Sequence, residues 1–105
     1  MVTEHENIIT DINLLLTDIL QHDKSQKYTV KYIEDELGHG LVEVFVLGDG
    51  LSAKDSVRFM NTIKKSDVVT DIYTLEMRKL YLMRLMSIEN IRTHKINKLQ
   101  KKITQ

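Results

Sequence analysis

The sequence predicts an α+β fold, and three observations carry that prediction. Apolar residues recur at spacings of three and four near the N-terminus. They alternate within two β-branched and aromatic runs between residues 28 and 47, and they return to helical spacing beyond residue 51. The chain of 105 residues is 42% apolar and 29% charged, enough to build one small, thin-cored domain.

The first element is expected from Glu4 to His22. Thr3 is a suitable N-cap, and Glu6 three residues later completes a capping box. Ile8, Ile9, Ile12, Leu15, Leu16, Ile19 and Leu20 mark one buried face. A polar connection, residues 21–26, follows. Tyr28–Ile33 and Leu41–Leu47 then read as two strands of an antiparallel hairpin, with Gly38 and Gly40 supplying the turn and an acidic tip at Glu34, Asp35 and Glu36.

Gly48-Asp49-Gly50 stops the second strand. It lacks the lysine of a P-loop and the spacing of a dinucleotide fingerprint, so it reads as a strand-to-helix turn. Ser52 caps a middle helix with Asp55 in its first turn. Val57, Met60 and Ile63 form its apolar stripe, supported by Phe59, and Lys64 and Lys65 lie in its last turn. Residues 67–74 have the β-branched content of a strand. Asp67 as a cap and Val68, Ile72 and Leu75 at helical spacing favour a helix, since no Gly or Pro interrupts the chain beyond residue 51. From residue 76 strong helix formers dominate, and one helix over 76–102 would be about 40 Å long. The expected organisation is therefore an α+β domain over 1–75, continuous with a basic amphipathic helix over 76–105.

Such a helix overhangs a compact domain, and its apolar stripe then needs a second chain. Leu82, Leu85, Ile88, Ile96, Leu99 and Ile103 are the candidate self-association residues, and the chain is expected to be a homodimer. The charge layout suggests an interaction surface, whether within the fold, between subunits or with a polyanion. Residues 1–50 hold ten acids against three bases, and residues 51–105 hold five acids against twelve bases, so zero net charge conceals two opposed halves.

No catalytic arrangement is legible. The four histidines are scattered and read as solvated or capping groups. Cysteine is absent, and nothing matches a nucleophile elbow, a zinc helix or a calcium loop, so no catalytic, metal or cofactor residue is assigned. The N-terminus lacks the basic start and apolar stretch of a signal peptide, and apolar runs such as Leu14-Leu15-Leu16 are far too short for a bilayer. A cytoplasmic protein away from membranes is expected. The reading is of a non-catalytic regulatory or inhibitor protein that binds a protein partner through Glu34, Asp35, Glu36 and Glu43 and self-associates through its C-terminal helix. The alternative is a dimeric nucleic-acid-binding regulator using Arg84, Arg92, Lys95, Lys98 and Lys102, since affinity for a polyanion grows with each phosphate neutralised.

Overall fold

The computed structural model describes residues 3–21 and 27–104, with side chains as far as residue 100. Its elements are α1 (Glu4–Ile19), β1 (Tyr28–Glu34), β2 (Gly40–Val46), α2 (Ala53–Lys64), β3 (Val69–Leu75), β4 (Leu80–Leu85) and α3 (Ile88–Thr104). The chain is thus an α+β protein in which a helix followed by a hairpin occurs twice before a closing helix. The four strands form one antiparallel sheet in the order β1-β2-β4-β3. The two hairpins meet where β2 pairs β4, with Val42 opposite Met83 and Val44 opposite Tyr81.

Both helix starts follow their caps. Thr3 Oγ1 accepts from the Glu6 N–H at 3.1 Å, and Ser52 Oγ accepts from the Asp55 N–H at 3.1 Å, each satisfying an orphan donor of a first turn. Helix α1 buries Ile8, Ile12, Leu16 and Ile19, as its periodicity predicts. His22, where the expected first helix ended, lies outside the described residues. Helix α2 is rotated from the expected stripe: it buries Ser56, Phe59 and Ile63, while Val57 is exposed. The i, i+3, i+7 series through Ser56 was masked because serine does not register as apolar. Its hydroxyl earns the core position by accepting a hydrogen bond from Tyr81 Oη at 2.7 Å.

The core lies between α1 and α2 and one face of the sheet. Val42, Val44, Val46, Tyr81, Met83 and Leu85 alternate inward from the two central strands, and Ile72 joins them from β3. Phe59 meets Tyr81 edge to face at a centroid distance of 5.0 Å. On the β1 side Tyr28 Oη donates to Asn13 Oδ1 at 2.9 Å, which ties α1 to the edge strand.

Two expectations for the second half are corrected. Residues 69–75 are a strand rather than a helix, and the helix expected over 76–102 is confined to Ile88–Thr104, because residues 80–85 form the central strand β4. The hairpin between them turns through Glu76, Met77 and Arg78, whose φ angles of 55°, 54° and 66° lie in the left-handed region. Glycine is the usual residue there, and its absence is what made the segment resemble an uninterrupted helix. The turn is held from outside. The Leu51 N–H donates to the Arg78 carbonyl at 3.0 Å, and Arg78 Nε donates to the Leu51 carbonyl at 2.9 Å. A Cβ on Gly50 would stand 2.8 Å from that same Arg78 oxygen, so the close approach needs glycine at residue 50.

His5 is also corrected: it is buried, not solvated. The Met86 carbonyl only accepts, so His5 Nε2 donates to it at 2.7 Å, and Nδ1 then receives the Tyr32 hydroxyl at 2.7 Å. This one ring joins the first turn of α1 to β1 and to the residue that follows β4. Burial, with the Glu34 and Glu6 carboxylates nearby, pushes the Tyr32 hydroxyl above the ordinary tyrosine range.

Candidate functional site, the helix-free face of the sheet

Because side chains alternate along a strand, the residues between the core positions point to the opposite face. On β1 they are Thr29, Lys31 and Ile33; on β2, Leu41, Glu43 and Phe45; on β4, Leu80, Leu82 and Arg84; on β3, Asp71, Tyr73 and Leu75. No described helix packs over this layer. Ile33, Tyr73 and Leu75 are 61%, 51% and 47% exposed, whereas Val44, Tyr81 and Leu85, on the same sheet, are fully buried. An antiparallel sheet with one solvated face normally alternates apolar inward and polar outward. Here the outward layer is mainly apolar, and its centre is a groove of about 500 Å³ lined by Ile33, Leu41, Leu82 and Tyr73 together with Lys31, Glu43, Asp71 and Arg84.

The four charges on this face are ordered. In strand order β1-β2-β4-β3 they read Lys31, Glu43, Arg84, Asp71, so the sign alternates from one strand to the next. Lys31 lies opposite Glu43 and Arg84 opposite Asp71, yet none of the four is in a salt bridge among the described residues. Asp71 and Arg84 also border a polar cleft of about 540 Å³ that runs on to Asn90, Thr93, His94 and Asn97 of α3, so the sheet face continues onto that helix.

The expected partner-binding residues divide between the two sides of the sheet. Glu34 pairs with Gly40 on the helix-bearing side, and Glu43 sits on the helix-free side. Asp35 shapes the tip itself: its Oδ1 accepts the N–H groups of Leu37 at 2.9 Å and His39 at 2.8 Å. Partial desolvation raises the pKa of this carboxylate, but those two donors outweigh it, with His39 and Arg84 nearby, and leave it below the ordinary aspartate range. His39 Nδ1 is buried 3.5 Å from the Asp35 carboxylate without a hydrogen-bond partner among the described residues. Glu36 is exposed at the tip.

The self-association candidates divide as well. Leu85 is fully buried in the core, Leu82 lies in the groove of the sheet face, and Ile88 is half-buried. Ile96 and Leu99 are exposed on α3, and the side chain of Ile103 lies outside the described residues. The nucleic-acid candidates come from two elements, β4 and α3. Arg84 belongs to the sheet face and Arg92 is exposed on α3. Lys95 pairs with Glu4 at 3.2 Å and Lys98 with Asp67, while the Lys102 side chain lies outside the described residues. These pairs hold the Asp67 carboxyl below its ordinary range through the Lys98 ammonium. They do the same for Glu4, where its backbone hydrogen bond acts first and Lys95 second.

Sequence reasoning missed Ile33, Leu41, Tyr73 and Leu82 as one surface. The signal was present in β2 and β4, where apolar residues fill both alternating positions, a pattern normally seen in strands covered on both faces. Among the described residues no group of three or more His, Asp or Glu is arranged to hold a metal ion, and no helix is long and apolar enough to cross a membrane. No protein-family model, curated protein or solved structure matches the chain.

Proposed function

We propose that this chain is a non-catalytic regulatory or inhibitor protein that acts through protein–protein contact, and that the helix-free face of the sheet is its contact surface. The observation carrying this reading is the exposed apolar layer around Ile33, Leu41, Leu82 and Tyr73, rimmed by charges outside any salt bridge among the described residues. A contiguous apolar patch with a polar rim is costly to hydrate, and free energy is released when another protein excludes that water. The acidic tip is a weaker candidate, because Asp35 is already engaged in shaping its own turn.

Capture of partner proteins by the immobilised chain tests the assignment. Leu82→Lys and Tyr73→Lys should abolish capture, while Glu34→Ser and Glu36→Ser leave it intact. The opposite result would move the contact surface to the β1–β2 tip. The nucleic-acid reading draws on Lys95 and Lys98, both of which are paired with carboxylates of the same chain. It requires binding to duplex or single-stranded probes that weakens steeply as salt rises, and no binding at low salt would eliminate it.

A further inference from the structure

From the alternating signs on the helix-free face we infer that its occupant is a second copy of this chain, packed sheet against sheet about a two-fold axis running along the strands. The inference rests on the reading of this face as a contact surface and names what covers it.

A two-fold interface brings one patch against itself, so the patch must be complementary to its own mirror order. Rotation about an axis along the strands reverses the strand order, and β1 then faces β3 of the other copy while β2 faces its β4. The sequence of signs plus, minus, plus, minus becomes minus, plus, minus, plus. Lys31 thereby meets Asp71 of the second copy, and Glu43 meets Arg84 of the second copy. A patch carrying one sign, or one symmetric about the centre of the sheet such as plus, minus, minus, plus, would set like charges against each other under this reversal.

The geometry accommodates the pairing. Lys31 and Glu43 are level with Leu82 and Tyr73, and Arg84 and Asp71 are level with Leu41 and Ile33. The complementary charges are therefore offset by two residues, about 7 Å along the strands, within the reach of lysine and arginine side chains. Sheets packed face to face stand about 10 Å apart with strands nearly aligned, which lets Ile33, Leu41, Leu82 and Tyr73 of the two copies interdigitate between the charged pairs. Four strands of six or seven residues present a planar footprint of about 19 by 22 Å, roughly 420 Å². That is about half of what each partner contributes to a standard-sized interface, so the pair belongs to the weaker, concentration-dependent class.

Charge exchange tests the assignment by sedimentation equilibrium, with circular dichroism and thermal melting confirming that each variant is folded. The wild-type chain should dimerise reversibly in the micromolar range. Lys31→Glu alone sets acid against acid, and Asp71→Lys alone sets base against base, so each should weaken self-association about tenfold or more. An equimolar mixture of the two variants should associate as the wild type does, because in the heterodimer both outer pairs are again complementary. Ile96→Lys with Leu99→Lys, on the exposed side of α3, should leave the dimer unchanged. A wild-type chain that remains monomeric at high micromolar concentration overturns the identity of the occupant without touching the capture experiment above. Single exchanges without effect, a mixture no stronger than its components, or a dimer lost only with the α3 substitutions would each overturn the sheet-to-sheet arrangement.

Discussion

The two faces of the sheet use the same strands for different ends. On β4, Tyr81, Met83 and Leu85 are enclosed by helices, whereas Leu80, Leu82 and Arg84, alternating with them, meet solvent. The inner face is finished within the chain: the hydroxyl of Tyr81 and both ring nitrogens of His5 have partners. The outer face is unfinished, with apolar groups in water and four charges outside any salt bridge among the described residues. Under the contact reading proposed above, stability resides on one side of the sheet and association on the other.

Substitution on neighbouring positions puts that separation under the greatest strain. Leu85→Ala should cost about 2–5 kcal/mol and Phe59→Ala about 3–5 kcal/mol in denaturant unfolding. Leu82→Ala, three residues away on the other face, should cost about 1 kcal/mol or less while reducing association. Equal losses at Leu82 and Leu85 would show that the outer face is also part of the folding core. His5→Ala comes next. It leaves the Met86 carbonyl and the Tyr32 hydroxyl without their partner and should cost about 1–3 kcal/mol, with little effect on any contact made through the outer face. A smaller gain is expected at the β3–β4 turn. Met77→Gly relieves a left-handed residue and should stabilise the chain by about 0.5–1 kcal/mol, net of glycine's greater chain entropy.

The least effect is expected at the docking of α3, where Asp67 and Glu4 hold Lys98 and Lys95. Both carboxyls have pKa values lower in the folded chain than in the unfolded one, so their contribution is fully present above the ordinary carboxylate range. It is lost as pH falls through the lowered folded values. The protection factors of amides in residues 92–98, relative to their intrinsic exchange rates at each pH, should therefore fall on acidification below that range and in high salt, ahead of those in β2 and β4. Exchange in α3 that follows the central strands at every pH would show that the helix is held by Ile91 rather than by these pairs.

Legibility differed between the two hairpins for a physical reason. The first was readable because Gly38 and Gly40 announce its turn and the strands on either side are rich in β-branched residues. The second was misread because Glu76, Met77 and Arg78 are ordinary helix formers held in a conformation they do not favour. What holds them is the Leu51 backbone, a contact spanning 27 residues that no local pattern records. Leu80 to Leu85 reads as helix along the chain, since its leucines and methionine suit one, and pairing with β2 on one side and β3 on the other makes it a strand instead.

The candidate site shows the same division. Lys31, Glu43, Asp71 and Arg84 are unremarkable along the chain, separated by up to 53 positions, and become an ordered row only through the strand order β1-β2-β4-β3. Lys95 and Lys98 show the reverse: a basic run open to a polyanion in the sequence is partly neutralised by Glu4 and Asp67 once α3 is docked.

By itself, the sequence determined the α+β class, the capped starts of α1 and α2 and the first hairpin, because caps, turns and alternation act over a few residues. Only the tertiary structure decided that residues 69–75 and 80–85 pair as strands, that His5 is enclosed, and that no helix among the described residues covers one face of the sheet. Those outcomes depend on hydrogen bonds and packing between segments tens of residues apart, whose combined free energy outweighs local preference.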